Sequence, residues 1–445
     1  MPARWTGLLG AAVLLATTLA GPASIAATSL VIPSSIVPGT VNRTSLSIDA
    51  TYDVRVILSY ATGALTIDST MVITNRSGGR IDRLELNAIA ARLAALRIDQ
   101  ATVDSRAVSP TIDDQTLRLP LGGILPDGER ATVRIRAHAR IGTSLAGSSW
   151  MMARANGVMQ VYRLVPWVSR ARPFDRPNHG DPFVTAMSPW VRVAITTDQP
   201  LLFATTGRRI SQEGLTQVFR ADDVRDFNFT ASPSYLQRSA WVGETRVRAY
   251  AKTATRAEAL LGRATWAVQH LSALAGTFPY PQYTIAESAG GYGMESPAHT
   301  WMPPIDSSRL PYLVTHETAH QWFYAEVGND QAREPFADEA MADLLTRTAL
   351  SSFRSSTCSS NRLDLTIYQY SSSCYYELVY VKGANVLDGV RRRMGSVAFW
   401  SAVRAYVDRY EGAISGTGQL LRFLDDRTSV DLAPYYRTYF PSLYP

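Results

Sequence analysis

The chain has 445 residues, of which 46% are hydrophobic and 18% charged. That is enough length and apolar content for two or three domains with cores of their own, and it excludes a disordered or fibrous protein. The formal net charge of +6 is carried almost wholly by arginine, Lys252 and Lys382 being the lysines. The arginines are scattered apart from a cluster at Arg391, Arg392 and Arg393, so the charge reads as solvated surface and not as a nucleic-acid interface.

Along the chain, residues 1–27 read as an export signal. Arg4 supplies the positive region, Leu8 to Ala20 the apolar run and Ala23 to Ala27 the small-residue cleavage region, so a secreted, extracellular protein is expected. The run is too short to span a bilayer comfortably, and no later stretch reaches about 18 apolar residues, so no stable membrane span is predicted. Residues 28–45, rich in Ser, Pro and Thr, read as a linker. Residues 46–242 are strand-like, with period-two stretches over Tyr52 to Ser59, Ala64 to Thr74 and Ala131 to Ala137, and predict an antiparallel β domain.

The period then changes, and residues 243–445 predict a mainly α domain, giving an α+β multidomain fold. Thr255 and Glu258 form a predicted capping box, Leu260, Ala264, Val268, Leu271 and Leu274 follow at helical spacing, and Gly276 closes the helix. Ser396 is the expected cap of a later helix, and Asp431 the start of the last one. The two cysteines, Cys358 and Cys374, either form one disulfide stapling a surface loop, as an oxidising compartment favours, or remain two buried thiols.

The chemistry lies in His316-Glu317-Thr318-Ala319-His320, an H-E-x-x-H pattern. Helix positions four apart share a face, so both imidazoles can reach one Zn2+ ion at about 2.0–2.1 Å. Glu317 projects near the same face, placed as general base toward a water activated by the metal. The third ligand should be a carboxylate or another histidine. Glu339, nineteen residues after His320, suits a first helix ending near Gly328-Asn329-Asp330 and a second returning beside it. The bland alternative, two histidines that merely pack or face water, is weakened by how rarely this motif arises by chance in a chain with six histidines.

These residues resemble the aminopeptidase N family of zinc metallopeptidases, a gluzincin family whose motif is H-E-x-x-H, eighteen residues, then Glu. His316, Glu317, His320 and Glu339 match it position by position, and Gln321-Trp322-Phe323 continues in the family's manner. Tyr292-Gly293-Met294-Glu295-Ser296 resembles the upstream G-[AG]-M-E-N motif, and Tyr380-Val381-Lys382-Gly383 the Y-x-K-G motif. The resemblance covers roughly residues 46 to 445. It implies an N-terminal β domain followed by a thermolysin-like catalytic domain, without the large C-terminal helical domain of full-length members. It also implies a peptide substrate whose α-amine pairs with Glu295, a substrate backbone approaching over Gly293 and Met294, and a Tyr380 hydroxyl donating to the oxyanion. Asp343, one turn beyond Glu339, is a candidate for orienting a ligand histidine, or else a solvated helix position.

The chain departs from the family in three places. Ser296 stands where the exopeptidase motif has Asn, Ala340 where glycine is common, and Gln160-Val161-Tyr162 has tyrosine where a Q-x-E stretch supplies a second anchoring glutamate. The expectation is therefore an aminopeptidase, with two alternatives: an endopeptidase with a relaxed N-terminal requirement, or an inactive binding module on the same scaffold.

Overall fold

The computed structural model describes residues 34–170 and 184–445; the expected export signal over residues 1–27, and residues 28–33 of the expected linker, lie outside them. Residues of the expected linker that are described dock on a four-stranded sheet through its strands Ile81–Asn87 and Thr116–Leu125. Val37 exchanges backbone hydrogen bonds with Ile124, and the Asp82 carboxylate accepts from the N–H groups of Val41, Asn42 and Arg43 at 2.6–3.0 Å.

An eight-stranded sheet dominates the N-terminal half. Ile48–Leu58 lies at its centre, antiparallel to Ala64–Asn75 and parallel to Ser188–Thr197, a parallel pair that the expected all-antiparallel domain did not contain. Alternate residues Ile48, Ala50, Tyr52, Val54, Val56 and Leu58 face inward, which is the period-two pattern of a half-buried strand. Tyr52 stacks on Trp167 with centroids 4.1 Å apart and accepts a hydrogen bond from the Val168 amide, fixing this sheet to a four-stranded neighbour.

A further four-stranded sheet opens the second half, in the order Leu236–Val242, Thr245–Ala251, Gln282–Glu287, His299–Met302. The expected boundary at residue 243 falls in the turn of its first hairpin. Helix Ala254–Ala275 joins the parallel strands Thr245–Ala251 and Gln282–Glu287, burying Leu260, Ala264, Val268 and Leu271. Gly276 closes it at φ 109°, as expected. Its cap, however, is Thr253, whose hydroxyl accepts from the Arg256 amide, two residues before the predicted Thr255; Glu258 instead pairs with Arg238. Likewise Gly395 precedes the helix Ser396–Tyr410, leaving Ser396 as its first residue, and the Asp431 carboxylate accepts from the Ala433 amide at the start of the last short helix.

The metal-motif helix spans Leu310–Ala319, with Pro311 in its first turn, where the missing N–H costs nothing. It ends at His320 and does not run on to Gly328. Tertiary anchors pull the following residues out of register. The Gln321 side chain accepts from the Ala298 amide at 2.7 Å and donates to the Ser296 carbonyl at 3.0 Å, the Trp322 indole donates to the Thr277 carbonyl, and Tyr324 takes a φ of 124°. The chain returns through Phe336–Ala340, a wide π-type turn that leads into helix Met341–Leu350. Cys358 and Cys374 form a disulfide. Among the described residues no helix is long and apolar enough to cross a membrane.

Candidate metal centre

His316 Nε2, His320 Nε2 and Glu339 Oε2 converge. The two nitrogens are 3.3 Å apart, and they stand 3.2 and 3.4 Å from the carboxylate oxygen. Two ligand atoms at about 2.0–2.1 Å from a tetrahedral zinc are separated by about 3.3 Å, so this donor set has the spacing that zinc requires. Its chemistry fits as well. Asp338 lies 2.7 Å from His320 Nδ1, which holds the proton on that nitrogen and turns the Nε2 lone pair toward the shared centre. Burial opposes charge on His320, yet Asp338 and Glu339 raise its pKa well above the usual imidazole range. The two carboxylates thus favour positive charge at that ring.

The wide turn Phe336–Ala340 delivers both carboxylates. Glu339 reaches the nitrogen pair while Asp338 backs His320, a role that sequence reasoning missed. Its signal was the acid adjoining the presumed ligand in Asp338-Glu339. Asp343, the predicted partner, lies 3.8 Å from His316 Nδ1 and is engaged by the Tyr312 hydroxyl and by the Arg347 guanidinium. Among the described residues His316 Nδ1 makes no hydrogen bond. Asp343 therefore stands behind His316 without gripping it.

Glu317 is buried on the same helix. Burial pushes its carboxyl up to about 7, against the lowering pull of His316 and His320, and its Oε2 has no hydrogen-bond partner among the described residues. Gly293 makes room for it, because a Cβ there would collide with the Glu317 carboxylate and approach Leu313 to 2.9 Å. Glu295 lies within 4.8 Å of Glu317 and His320. Gln331 donates both to Glu295, at 3.3 Å, and to Asp338, at 2.8 Å, tying the two carboxylates together. Met294 is buried and pairs through its backbone with Trp301.

Tyr380 sits across from this cluster on a second wide turn, Tyr376–Lys382, its ring stacked against His316 at 5.4 Å. Burial, and then the charge of Glu339, raise its hydroxyl well above the usual range, so it remains a hydrogen-bond donor. The family-variant positions have visible partners. The Ser296 hydroxyl bonds Asp226 at 2.6 Å and Thr206 at 2.9 Å. Gln160 accepts from the Ala289 amide and donates to the Gly290 carbonyl, shaping the loop that leads to Gly293. Tyr162 is buried against Trp301 and offers no anion. Ala340 packs beneath Gly383, where a Cβ would come within 2.7 Å of its own.

No family model matches the chain, and no curated protein matches it. Solved structures do. An M1 zinc metallopeptidase mutant from Deinococcus radiodurans superposes with a TM-score of 0.69 at 19% identity, covering 91% of this chain and 96% of that one. The non-mutant M1 zinc metallopeptidase from the same organism gives 0.66 at 20% identity over 88% and 93%. A mutant bound to a Tyr-Ser-Ala substrate gives 0.67 at 19% over 91% and 96%. This chain, with its β-rich half, its helix-bearing half and its convergent histidines, has the two-domain fold of the M1 zinc metallopeptidases.

Proposed function

We propose that the protein is an exported zinc peptidase that removes N-terminal residues from peptides. The observation that carries this reading is the trio His316 Nε2, His320 Nε2 and Glu339 Oε2, mutually 3.2–3.4 Å apart, with the Glu317 carboxylate, whose Oε2 has no hydrogen-bond partner among the described residues, on the same helix. When bound, zinc supplies Lewis-acid activation of water and of the scissile carbonyl. Glu317 takes the proton of the attacking water and delivers it to the leaving amine nitrogen. The Tyr380 hydroxyl donates to the oxygen on which negative charge develops. Glu295 pairs with the α-ammonium group, which sets cleavage at the first peptide bond. Export agrees with the Cys358–Cys374 disulfide, a bond that persists in oxidising compartments.

Tyr162 favours one second reading, an endopeptidase, since it supplies no second anion for the α-amine. A tripeptide and its N-acetylated form separate the two. Acetylation should reduce kcat/KM by two orders of magnitude or more, and equal rates would leave the endopeptidase. The zinc chemistry itself is tested with single-residue amide substrates, whose turnover should vanish with chelator and return with added zinc. Turnover indifferent to chelation would end the proposal.

A further inference from the structure

We propose that Cys358 is a clasp that fixes the Tyr380 hydroxyl over the metal centre, with Lys382 as its second positioning residue. This rests on the reading of Tyr380 as the oxyanion donor. The turn Tyr376–Lys382 that carries Tyr380 is π-type, a rare geometry that occurs mostly as single turns at functional sites. Both of its ends are tied to one residue. At the start, Cys374, whose carbonyl accepts a bond from the Leu378 amide at 2.8 Å, is joined to Cys358 by the disulfide. At the end, the Lys382 ammonium donates to the Cys358 carbonyl at 2.9 Å, to the Ser360 carbonyl and to Asn361 Oδ1 at 3.2 Å.

The turn and the helix that follows it are braced too. Glu377 accepts from the Thr357 amide at 2.9 Å and pairs with Arg354, and the Asn385 side chain donates to the Arg354 carbonyl at 2.8 Å. Residues 354–361 therefore line the outer side of the turn through Cys374, Glu377, Lys382 and Asn385. The other side presses on the metal centre, where Tyr380 stacks on His316 and Gly383 packs against Ala340, next to Glu339. The turn is held between the clasp and the ligands.

The residue choice is informative. An ammonium group offers three donors in a compact tripod, and three acceptors surround Lys382, whereas a guanidinium presents a flat fork. The chain places one of its two lysines here, among 44 lysines and arginines in all. Displacing a reacting group by about 1 Å costs on the order of 100-fold in rate, so a clasp that holds one hydroxyl is worth far more to turnover than to stability.

The test is a double-mutant cycle. Lys382→Met and the pair Cys358→Ala with Cys374→Ala are each made alone and on Tyr380→Phe, and kcat, KM, zinc content and melting temperature are measured with an amino-acid amide substrate. In the native background each clasp variant should lower kcat about tenfold or more, with KM within about twofold and one zinc retained. On Tyr380→Phe the same changes should cost nothing further in kcat. Equal losses in both backgrounds, a change confined to KM, or loss of zinc would overturn the proposal. Should a clasp variant fail to fold, Asn361→Ala removes a single acceptor at an exposed position; it should lower kcat about two- to threefold, again only when Tyr380 is present. Tyr380→Phe alone tests the underlying reading, because an effect below about fivefold removes the oxyanion role, and with it this inference, whatever the cycle shows.

Discussion

Asp338 and Asp343 flank the histidine pair but serve it unequally, and the difference is measurable. Asp338, 2.7 Å from His320 Nδ1, should be the acid that tunes the ligand, so Asp338→Asn is expected to weaken zinc binding by about 10–100-fold in competition with a chelator. Asp343→Asn should cost less in zinc affinity, because that carboxylate is 3.8 Å from His316 and is spent on Tyr312 and Arg347. Glu317→Gln should abolish turnover and leave one zinc per chain, since it removes the proton acceptor and no ligand; substantial residual turnover would remove Glu317 from the role of base. At this scale the sequence pointed to His316, Glu317 and His320 because H-E-x-x-H needs only helical spacing, and to Glu339 through its distance along the chain and the family resemblance. It placed Asp343 beside a ligand histidine, and the structure has it buried 3.8 Å from His316 Nδ1, but it passed over Asp338, which meets His320 Nδ1 at 2.7 Å. Asp338 was hidden because it reaches His320 through the wide turn Phe336–Ala340, whose geometry regular helical spacing does not foretell.

At the scale of elements, the helix Ala254–Ala275 was legible in its apolar spacing and its terminal glycine, while its start was not. Thr253 and Thr255 are both capping residue types, and the backbone turn that selects Thr253 has no sequence signature. Thr253→Ala should lower stability by about 1 kcal/mol, read as a fall in melting temperature without change in kcat. The length of the metal-motif helix was hidden for another reason. Gln321 and Trp322 suit a helix locally, but their side chains bond Ser296, Ala298 and Thr277, and these tertiary bonds outweigh propensity. The loop bearing Gly293 gives the sharpest element-level test. Gly293→Ala sets a methyl against the Glu317 carboxylate and Leu313, so kcat should fall about tenfold or more, with a smaller change in melting temperature. Unchanged kcat would show that the loop yields without disturbing the carboxylate.

Across the whole molecule, the β-rich and helix-bearing halves are riveted by Arg225. Its buried guanidinium donates to the carbonyls of Thr185, Ala325, Glu326 and Ala413, and Gly328 leaves it space, since a Cβ there would approach the guanidinium carbon to 2.5 Å. Burial pulls this arginine down to about 10, still charged at neutral pH. Arg225→Met should cost roughly 2–5 kcal/mol by stranding those carbonyls, seen as a lower melting temperature. Nearby, Glu326 carries a pH dependence. Burial, then Glu411 and Asp408, push its carboxyl up to about 8. A raised carboxyl favours the folded state fully below its ordinary value of about 4.3, and that contribution is lost as pH rises through about 8. Glu326→Gln should therefore melt several degrees above the unaltered protein at pH 9 and match it near pH 4; a constant difference across that range would contradict the assignment.

The rivet bears on how this protein can be divided. A fragment beginning at residue 243 would lose Leu236–Val242 from the first hairpin of its own sheet, baring the edge of Thr245–Ala251. It would also leave three carbonyl oxygens around Gly328 facing a hole where a cation belongs. Recombinant versions of the helix-bearing part alone should aggregate, and calorimetry of the intact chain should record one cooperative melting event, not a separate one for each half.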